Sequence, residues 1–458
     1  MVWALSAAAY GAYFQAQWAF GARPIFSVTG DEPHYLTIAT SLVSDGDLDV
    51  LDEYRDKEYF PYYPFHLGDA RDMEDMHAIY GRGGGIFSKH SVGLPLLLAP
   101  AMRLGGHGAA TVVMIALTAM LAAQTWLLGQ DVLAYSQRER VTWGVVLAWV
   151  AVALTPPLLL YAPLFYPEVA GALLTVVGVR AVLAYVRGGS LGALAVVGSA
   201  CGLLPWFHLR YAPLALALGA LALAAIVNRW RHGSRRAADA FVLSLPAGIA
   251  GLGLLALNWR LFGGVPPVDE YGAVSLGRFV VGAPGLFFDR QFGLLPYAPV
   301  YTLAPFGVLA LWRTSRWAAT AAAVPFLGYA GFVACFSYWY GAFSPPARML
   351  VPVLPLLVAP LTALLARSVP ARVLCVALLA LTAAMAKLLV DVPRLRYNLP
   401  TGSSAALEYL SQLWGRDVSG WLPTFIQPDP AGFVWVGTAI ALLAVVSAGL
   451  IRFVPRRI

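Results

Sequence analysis

Twelve apolar stretches, each close to the length of a bilayer crossing, constrain this chain more than any other feature. They cover 2–22, 107–129, 141–162, 167–187, 190–206, 211–229, 240–262, 295–312, 317–336, 348–366, 371–390 and 432–453. A hydrocarbon core takes about 20 apolar residues of helix, with roughly 17 to 25 tolerated. Soluble domains carry about 25% charged residues, whereas this chain of 458 residues carries 12%, with 59% from the apolar set and a mean hydropathy of +0.69. The expected fold is an all-α polytopic membrane protein of about twelve transmembrane helices, forming a single integral-membrane domain over 1–458. The 44 glycines and 32 prolines then read as kinked, closely packed membrane helices rather than as low complexity. No internal repeat and no separate soluble domain is visible in the sequence.

Loop charge gives the orientation, because short cytoplasmic loops carry excess Lys and Arg. With the N-terminus inside, the cytoplasmic connections hold Arg138, Arg140, Arg187, Arg229, Arg231, Arg235, Arg236, Arg313, Arg316, Arg367 and Arg372, and the tail holds Arg452, Arg456 and Arg457. Only Asp131, Glu139 and Asp239 oppose them. The stretch 91–104 is apolar but short and carries Pro95, Pro100 and Arg103, so it reads as re-entrant or interfacial. The first loop with this segment (23–106) and the loops 263–294 and 391–431 fall on the outer side, and 23–90 alone holds 13 of the 24 acids. Both termini are expected in the cytoplasm of a plasma (inner) membrane protein, with the polar chemistry outside. The end of the first helix, AFGAR, loosely resembles a signal cleavage site; Gln15 and Gln17 and the even helix count favour its retention. The net charge of +7 lies scattered between apolar runs, which fits a membrane and not nucleic acid. Cys201, Cys335 and Cys375 lie far apart and form neither a disulfide framework nor a metal motif.

Five strings on the outer face carry polar residues able to do chemistry. SVTGDEPHYL (27–36) sets Asp31 and Glu32 side by side where the first helix leaves the membrane, with Pro33 fit to open a helix. Taken alone, Asp31 reads as a helix cap. FSKHSVGLPLLLAP (87–100) presents Lys89 and His90; a lysine there either snorkels into headgroups or holds a phosphate. LYAPLFYPEVAGALL (160–174) starts a helix at Glu168, where the dipole favours a carboxylate. PWFHLRYAPL (205–214) carries His208 and Arg210, and WYGAFSPPARMLVPVLPLL (339–357) carries Arg348 after two prolines. Cations placed outside, against the general trend, point to an anionic ligand such as a lipid phosphate. A carboxylate beside them is the layout of group transfer from a phosphorylated lipid.

GDEPHYL after the first helix, a lysine before a proline-containing apolar segment, an acid opening the fourth helix, and Arg-x-x-x-Pro-x-x-Pro at a late helix together resemble the GT-C glycosyltransferases. The pattern is most similar to bacterial relatives of the protein O-mannosyltransferases and of the aminoarabinose transferases that modify lipid A. The likeness covers about residues 1–370 in arrangement, with His90 where many relatives have proline and no large periplasmic domain. It implies a GT-C-like fold whose first extracytoplasmic loop carries juxtamembrane helices, a polyprenyl-phosphate sugar donor, a catalytic acid at Asp31, and donor-phosphate contacts at Lys89 and Arg348. The expected activity is inverting transfer of a hexosyl or pentosyl unit to a lipid, glycan or protein hydroxyl. Asp31 is then the base, with Glu32 orienting the acceptor or tuning Asp31 and Glu168 the next acid in line. Arg210 joins the phosphate contacts, and His34, Tyr35, His90, Tyr166 and His208 line the substrate site.

Several weaker signals point elsewhere. GRGGG (81–85) is a flexible turn, since no Gly-Lys-Ser/Thr follows it as a nucleotide loop requires. The acids of DGDLDVLDEYRD (45–56) are able to bind a divalent cation, but a solvated acidic loop is the plainer expectation. His34, His90 and His208 match no zinc spacing, so no metal is expected at the site and the sequence requires no cofactor. The competing function is a polytopic transporter or lipid flippase, drawn from Pro156–Pro157 and from Arg180 and Lys387 within apolar spans. Transporter sites lie at midmembrane between repeated halves, whereas the residues above gather at one interface. A structural envelope subunit, in which none of the carboxylates matters, is a third reading.

Overall fold

The computed structural model describes residues 1–19, 28–67, 73–135, 142–233, 237–264 and 273–452. Among these residues the chain forms eighteen α-helices and a single two-stranded hairpin. Six helices are long and apolar enough to cross a membrane: Gly93–Ala134, Glu168–Gly188, Leu209–Arg231, Ala237–Phe262, Arg316–Ala334 and Val369–Asp391. Shorter apolar helices accompany them. Ala237–Phe262 buries only 6% of its most apolar window and exposes Phe241, Ile249, Leu252, Leu255 and Trp259. A helix so apolar and so exposed needs a hydrocarbon solvent, and the protein is an all-α membrane protein.

The chain divides into two compact units, one comprising Gly21–Thr118 and Ala162–Gly272, the other Met1–Phe20, Ala119–Tyr161 and Ala273–Ile458. The first unit contains α2 (Glu32–Ser44), α3 (Leu51–Arg55), the hairpin β1 (Ala78–Tyr80) and β2 (Ile86–Ser88), the start of α4 (Gly93–Ala134), α7 (Glu168–Gly188), α8 (Leu191–Phe207), α9 (Ala212–Arg231) and α10 (Ala237–Phe262). α8 packs against α7, α9 and α10. Helical geometry in α4 breaks at Gly105 and Gly106, the latter with φ 62°, so 93–104 and the stretch from 107 onward are separate helical segments. Close backbone approach also needs glycine: a Cβ on Gly93 would stand 2.5 Å from the Trp206 carbonyl oxygen.

The second unit contains α1 (Val2–Ala19), α5 (Trp143–Ala153), α6 (Leu158–Tyr161), α11 (Phe279–Phe288), α12 (Leu294–Tyr297), α13 (Ala304–Thr314), α14 (Arg316–Ala334), α15 (Val358–Leu365), α16 (Val369–Asp391), α17 (Ala405–Trp414) and α18 (Pro430–Arg452). Three stretches expected as continuous spans are interrupted. α5 stops at Ala153 and helix resumes only beyond Pro156–Pro157, because proline lacks the N–H a helix needs and restricts its predecessor. The stretch 295–312 becomes α12, a 3₁₀ turn and α13, and 348–366 becomes two 3₁₀ turns and α15. Nearly every residue from 348 to 365 is buried, and irregular backbone at membrane depth is tolerated only when enclosed by protein. The loops 263–294 and 391–431 are themselves partly helical, holding α11 and α17.

Candidate active site

The loop ahead of α2 is fixed from both sides. Gly30 adopts φ 60°, a left-handed turn that suits glycine. The Thr29 N–H donates to Glu32 Oε2 at 3.0 Å and the Tyr166 hydroxyl donates to the Thr29 carbonyl at 3.2 Å. The other Glu32 oxygen accepts the Phe165 N–H at 2.8 Å, and Glu32 is fully buried. Glu32 therefore joins the entry of α2 to the segment before α7. Asp31 occupies the N-cap position yet makes no side-chain capping bond; it is half-buried. The capping bond expected of Asp31 is not made, and the loop is instead tied down by Glu32.

Hairpin pairing brings three histidines together. β1 and β2 are antiparallel with Ala78 opposite Ser88, so His77, just before β1, meets Lys89 and His90, just after β2. The Lys89 N–H donates to the His77 carbonyl at 2.7 Å, and His77 Nδ1 and His90 Nε2 are hydrogen-bonded at 3.0 Å. The GRGGG turn closes this hairpin through a Gly81 N–H bond to the Gly85 carbonyl at 2.7 Å, with Gly83 and Gly84 both at positive φ. His34 on α2 stacks on His77 with centroids 4.0 Å apart, its Nδ1 is hydrogen-bonded to the Tyr54 hydroxyl at 2.6 Å, and Tyr35 lies 4.7 Å from the His90 ring. Burial, reinforced by the His77 and His90 rings, holds the His34 imidazole well below its ordinary value, so it is neutral at pH 7. A carboxylate oxygen of Asp31 and ring nitrogens of His77 and His90 lie within 4.8 Å of one another. Such a mixed set suits a divalent transition metal, although one nitrogen of each ring is already engaged by the other ring.

Glu168 and Arg210 form a salt bridge, their side chains 0% and 8% exposed. Glu168 opens α7, as its sequence position implied. His208 accepts the Arg210 N–H on Nδ1 at 3.1 Å and caps the 3₁₀ turn Leu209–Tyr211. His208 is engaged with Arg210 and lies 5.8 Å from the Tyr211 ring, whereas His77, not singled out in the sequence, joins His34 and His90. A signal for His77 existed: AIY and IFS flank a glycine-rich turn, which is a hairpin pattern.

In the other unit, Arg348 is buried and donates from its guanidinium to the Gly341 carbonyl at 3.2 Å. Gly341 has φ 83°, and Ala342 and Ala347 also take left-handed conformations, which cost an L-residue about 1–2 kcal/mol each. That unit also holds a polar cleft of about 710 Å³ lined by Arg290, Ser403, Glu408, Arg416 and Asp417, none of them marked out by the sequence. No family model, no curated protein and no solved structure matches this chain.

Proposed function

We propose that the protein is an inverting glycosyltransferase of the GT-C type, moving a sugar from a polyprenyl-phosphate donor to an acceptor hydroxyl on the outer face of the plasma (inner) membrane. Twelve crossings with both termini cytoplasmic accompany this reading. The observation that carries it is the placement of Asp31, whose carboxylate lies within 4.8 Å of ring nitrogens of His77 and His90 on a loop that Glu32 fixes by accepting two backbone N–H groups. A half-buried carboxylate held by a fixed turn, beside His77 and His90 and on the same unit as Lys89, suits a general base.

In the proposed reaction the acceptor oxygen bonds to the anomeric carbon as the bond from that carbon to the phosphate oxygen breaks. The acceptor proton passes to Asp31, and the departing polyprenyl phosphate takes the bonding electrons. Lys89 offsets its charge as a compact ammonium. Arg210, already engaged by Glu168, is a weaker phosphate contact, and Arg348 holds that role on the family resemblance alone. Glu168 is less suited than Asp31 to act as base because it is ion-paired. His90 and Tyr35 line the acceptor side, while His34, Tyr166 and His208 support the site from behind. No metal or cofactor is needed for this chemistry.

The test incubates purified protein with a panel of polyprenyl-phosphate sugars and follows release of polyprenyl phosphate. Release that depends on an added acceptor is expected, and Lys89→Ala weakens donor binding by about 1.5–3 kcal/mol, the worth of a charge-assisted bond. Transbilayer movement of an intact lipid donor without release would instead favour the flippase reading.

A further inference from the structure

The acidic run 45–56 is not uniformly solvated. Asp47 Oδ1 accepts the Ser41 hydroxyl at 3.1 Å and the Asp49 N–H at 3.0 Å. Asp49 accepts the N–H groups of Leu51 at 3.1 Å and Ile86 at 3.3 Å. These two acids are occupied in turning the chain. Arg55 is paired with Asp56 at 2.7 Å, and Lys57 lies over the Phe60 ring. What remains is Asp45 at the end of α2 and Asp52 and Glu53 in the first turn of α3, whose carboxylate oxygens lie within 4.8 Å of one another.

Glu53 is the decisive member, for it is 0% exposed and neither carboxylate oxygen has a hydrogen-bond partner among the described residues. An isolated buried carboxylate costs several kcal/mol to keep ionised, and here two further carboxylates stand beside it. Burial, with Asp52 and Asp45 adjacent, pushes the Glu53 carboxyl up to about 9. Asp45 is exposed and Asp52 half-buried, so a small ion has a path from water to Glu53. All three donors are oxygen, which selects a hard cation, and Ca²⁺ at about 2.3–2.6 Å from each ligand can bridge such spacings.

We propose that Asp45, Asp52 and Glu53 form a Ca²⁺ site that ties the end of α2 to the start of α3. The ion neutralises the buried Glu53 and holds in place the α2–α3 corner of the first loop. The site is distinct from Asp31 and stands whether or not the protein transfers sugar.

The test uses the full-length protein in detergent, stripped with EDTA and then titrated with Ca²⁺ by calorimetry and by thermal unfolding. A saturable heat and an upward shift of the unfolding midpoint are expected, because a ligand bound only by the folded state stabilises it. Glu53→Gln removes the charge but keeps the shape, so it folds without the ion and loses the Ca²⁺-dependent shift. Asp45→Asn, altering an exposed residue, lowers Ca²⁺ affinity by about tenfold or more. Asp31→Asn, which removes the proposed base, keeps the full Ca²⁺ response. A parent protein with no heat and no shift at millimolar Ca²⁺, or a Glu53→Gln variant that responds as the parent does, overturns the site.

Discussion

Glu32 accepts the Phe165 N–H at 2.8 Å across 133 residues of sequence, while Asp31, one residue earlier, makes no capping bond at all. Two adjacent carboxylates of the same string are thereby given different surroundings, and the difference is open to direct measurement. Asp31→Asn keeps size and leaves the Glu32 bonds to Thr29 and Phe165 untouched, so folding is preserved. If Asp31 is the base, turnover falls by about 10²- to 10⁴-fold, with donor binding retained. Glu32→Gln has one acceptor oxygen in place of two, leaves a buried N–H unpaired and loses about 1–3 kcal/mol of stability. Sugar transfer per folded protein, measured beside unfolding midpoints, separates the two. Near-parental transfer by Asp31→Asn removes Asp31 from the mechanism.

The Glu168–Arg210 pair makes a second prediction. With side chains 0% and 8% exposed, removing either partner strands a charge in a low-dielectric setting and costs about 3–5 kcal/mol. Replacing both, Glu168→Leu with Arg210→Met, leaves no orphan charge and restores most of the stability. Thermal midpoints in detergent should therefore rank the double variant above both single variants. The opposite ranking means that the pair is not coupled in this way.

Long apolar helices were legible because length and composition alone specify them: α7, α9, α10, α14 and α16 lie close to the stretches read from sequence. Proline was not equally legible. α10 and α14 contain Pro246 and Pro325 without interruption, whereas Pro156–Pro157 separates α5 from α6, and apolarity does not distinguish these cases. At the candidate site, the GDEPHYL string pointed to Asp31 and Glu32, but that Glu32 is the one to tie down the loop depends on Phe165, far along the chain. His77 was missed because its neighbours are set by hairpin register rather than spacing. The buried Glu53 was missed for a related reason: an acidic run reads as solvated until the fold covers one member.

The histidine group predicts a dependence on acid. His34 has its folded value held below the ordinary one near 6.5, chiefly by burial. The unfolded chain therefore binds a proton that the folded one refuses, and stability falls as pH drops from about 6.5 toward the lower folded value; above that range the contribution is fully present. Unfolding midpoints at pH 7.5 and 5.5 should differ more for the parent than for His34→Asn, which retains a polar group for the Tyr54 hydroxyl. Equal pH sensitivity in both proteins assigns the acid response to other groups.

Placement of the site relative to the membrane is the prediction on which the transfer reaction depends, since a lipid-linked donor and its acceptor must meet on one face. Loop charge puts the hairpin outside and the end of α9, rich in arginine, inside. Tyr80, at the end of β1, is 71% exposed, and His232, next after α9, is also exposed, so either accepts a cysteine without disturbing a core. Cys201, Cys335 and Cys375 lie in apolar helices or at a helix end and are first replaced by alanine or serine. In intact cells an impermeant thiol reagent should then label Tyr80→Cys, and it should reach His232→Cys only after the membrane is opened. Labelling of both from outside would mean that an even number of crossings separates the two positions, and the count between β2 and α9 would need revision. Labelling of His232→Cys alone would invert the topology and move Asp31, Lys89 and the histidine group to the cytoplasmic face, where the proposed transfer would have to be abandoned.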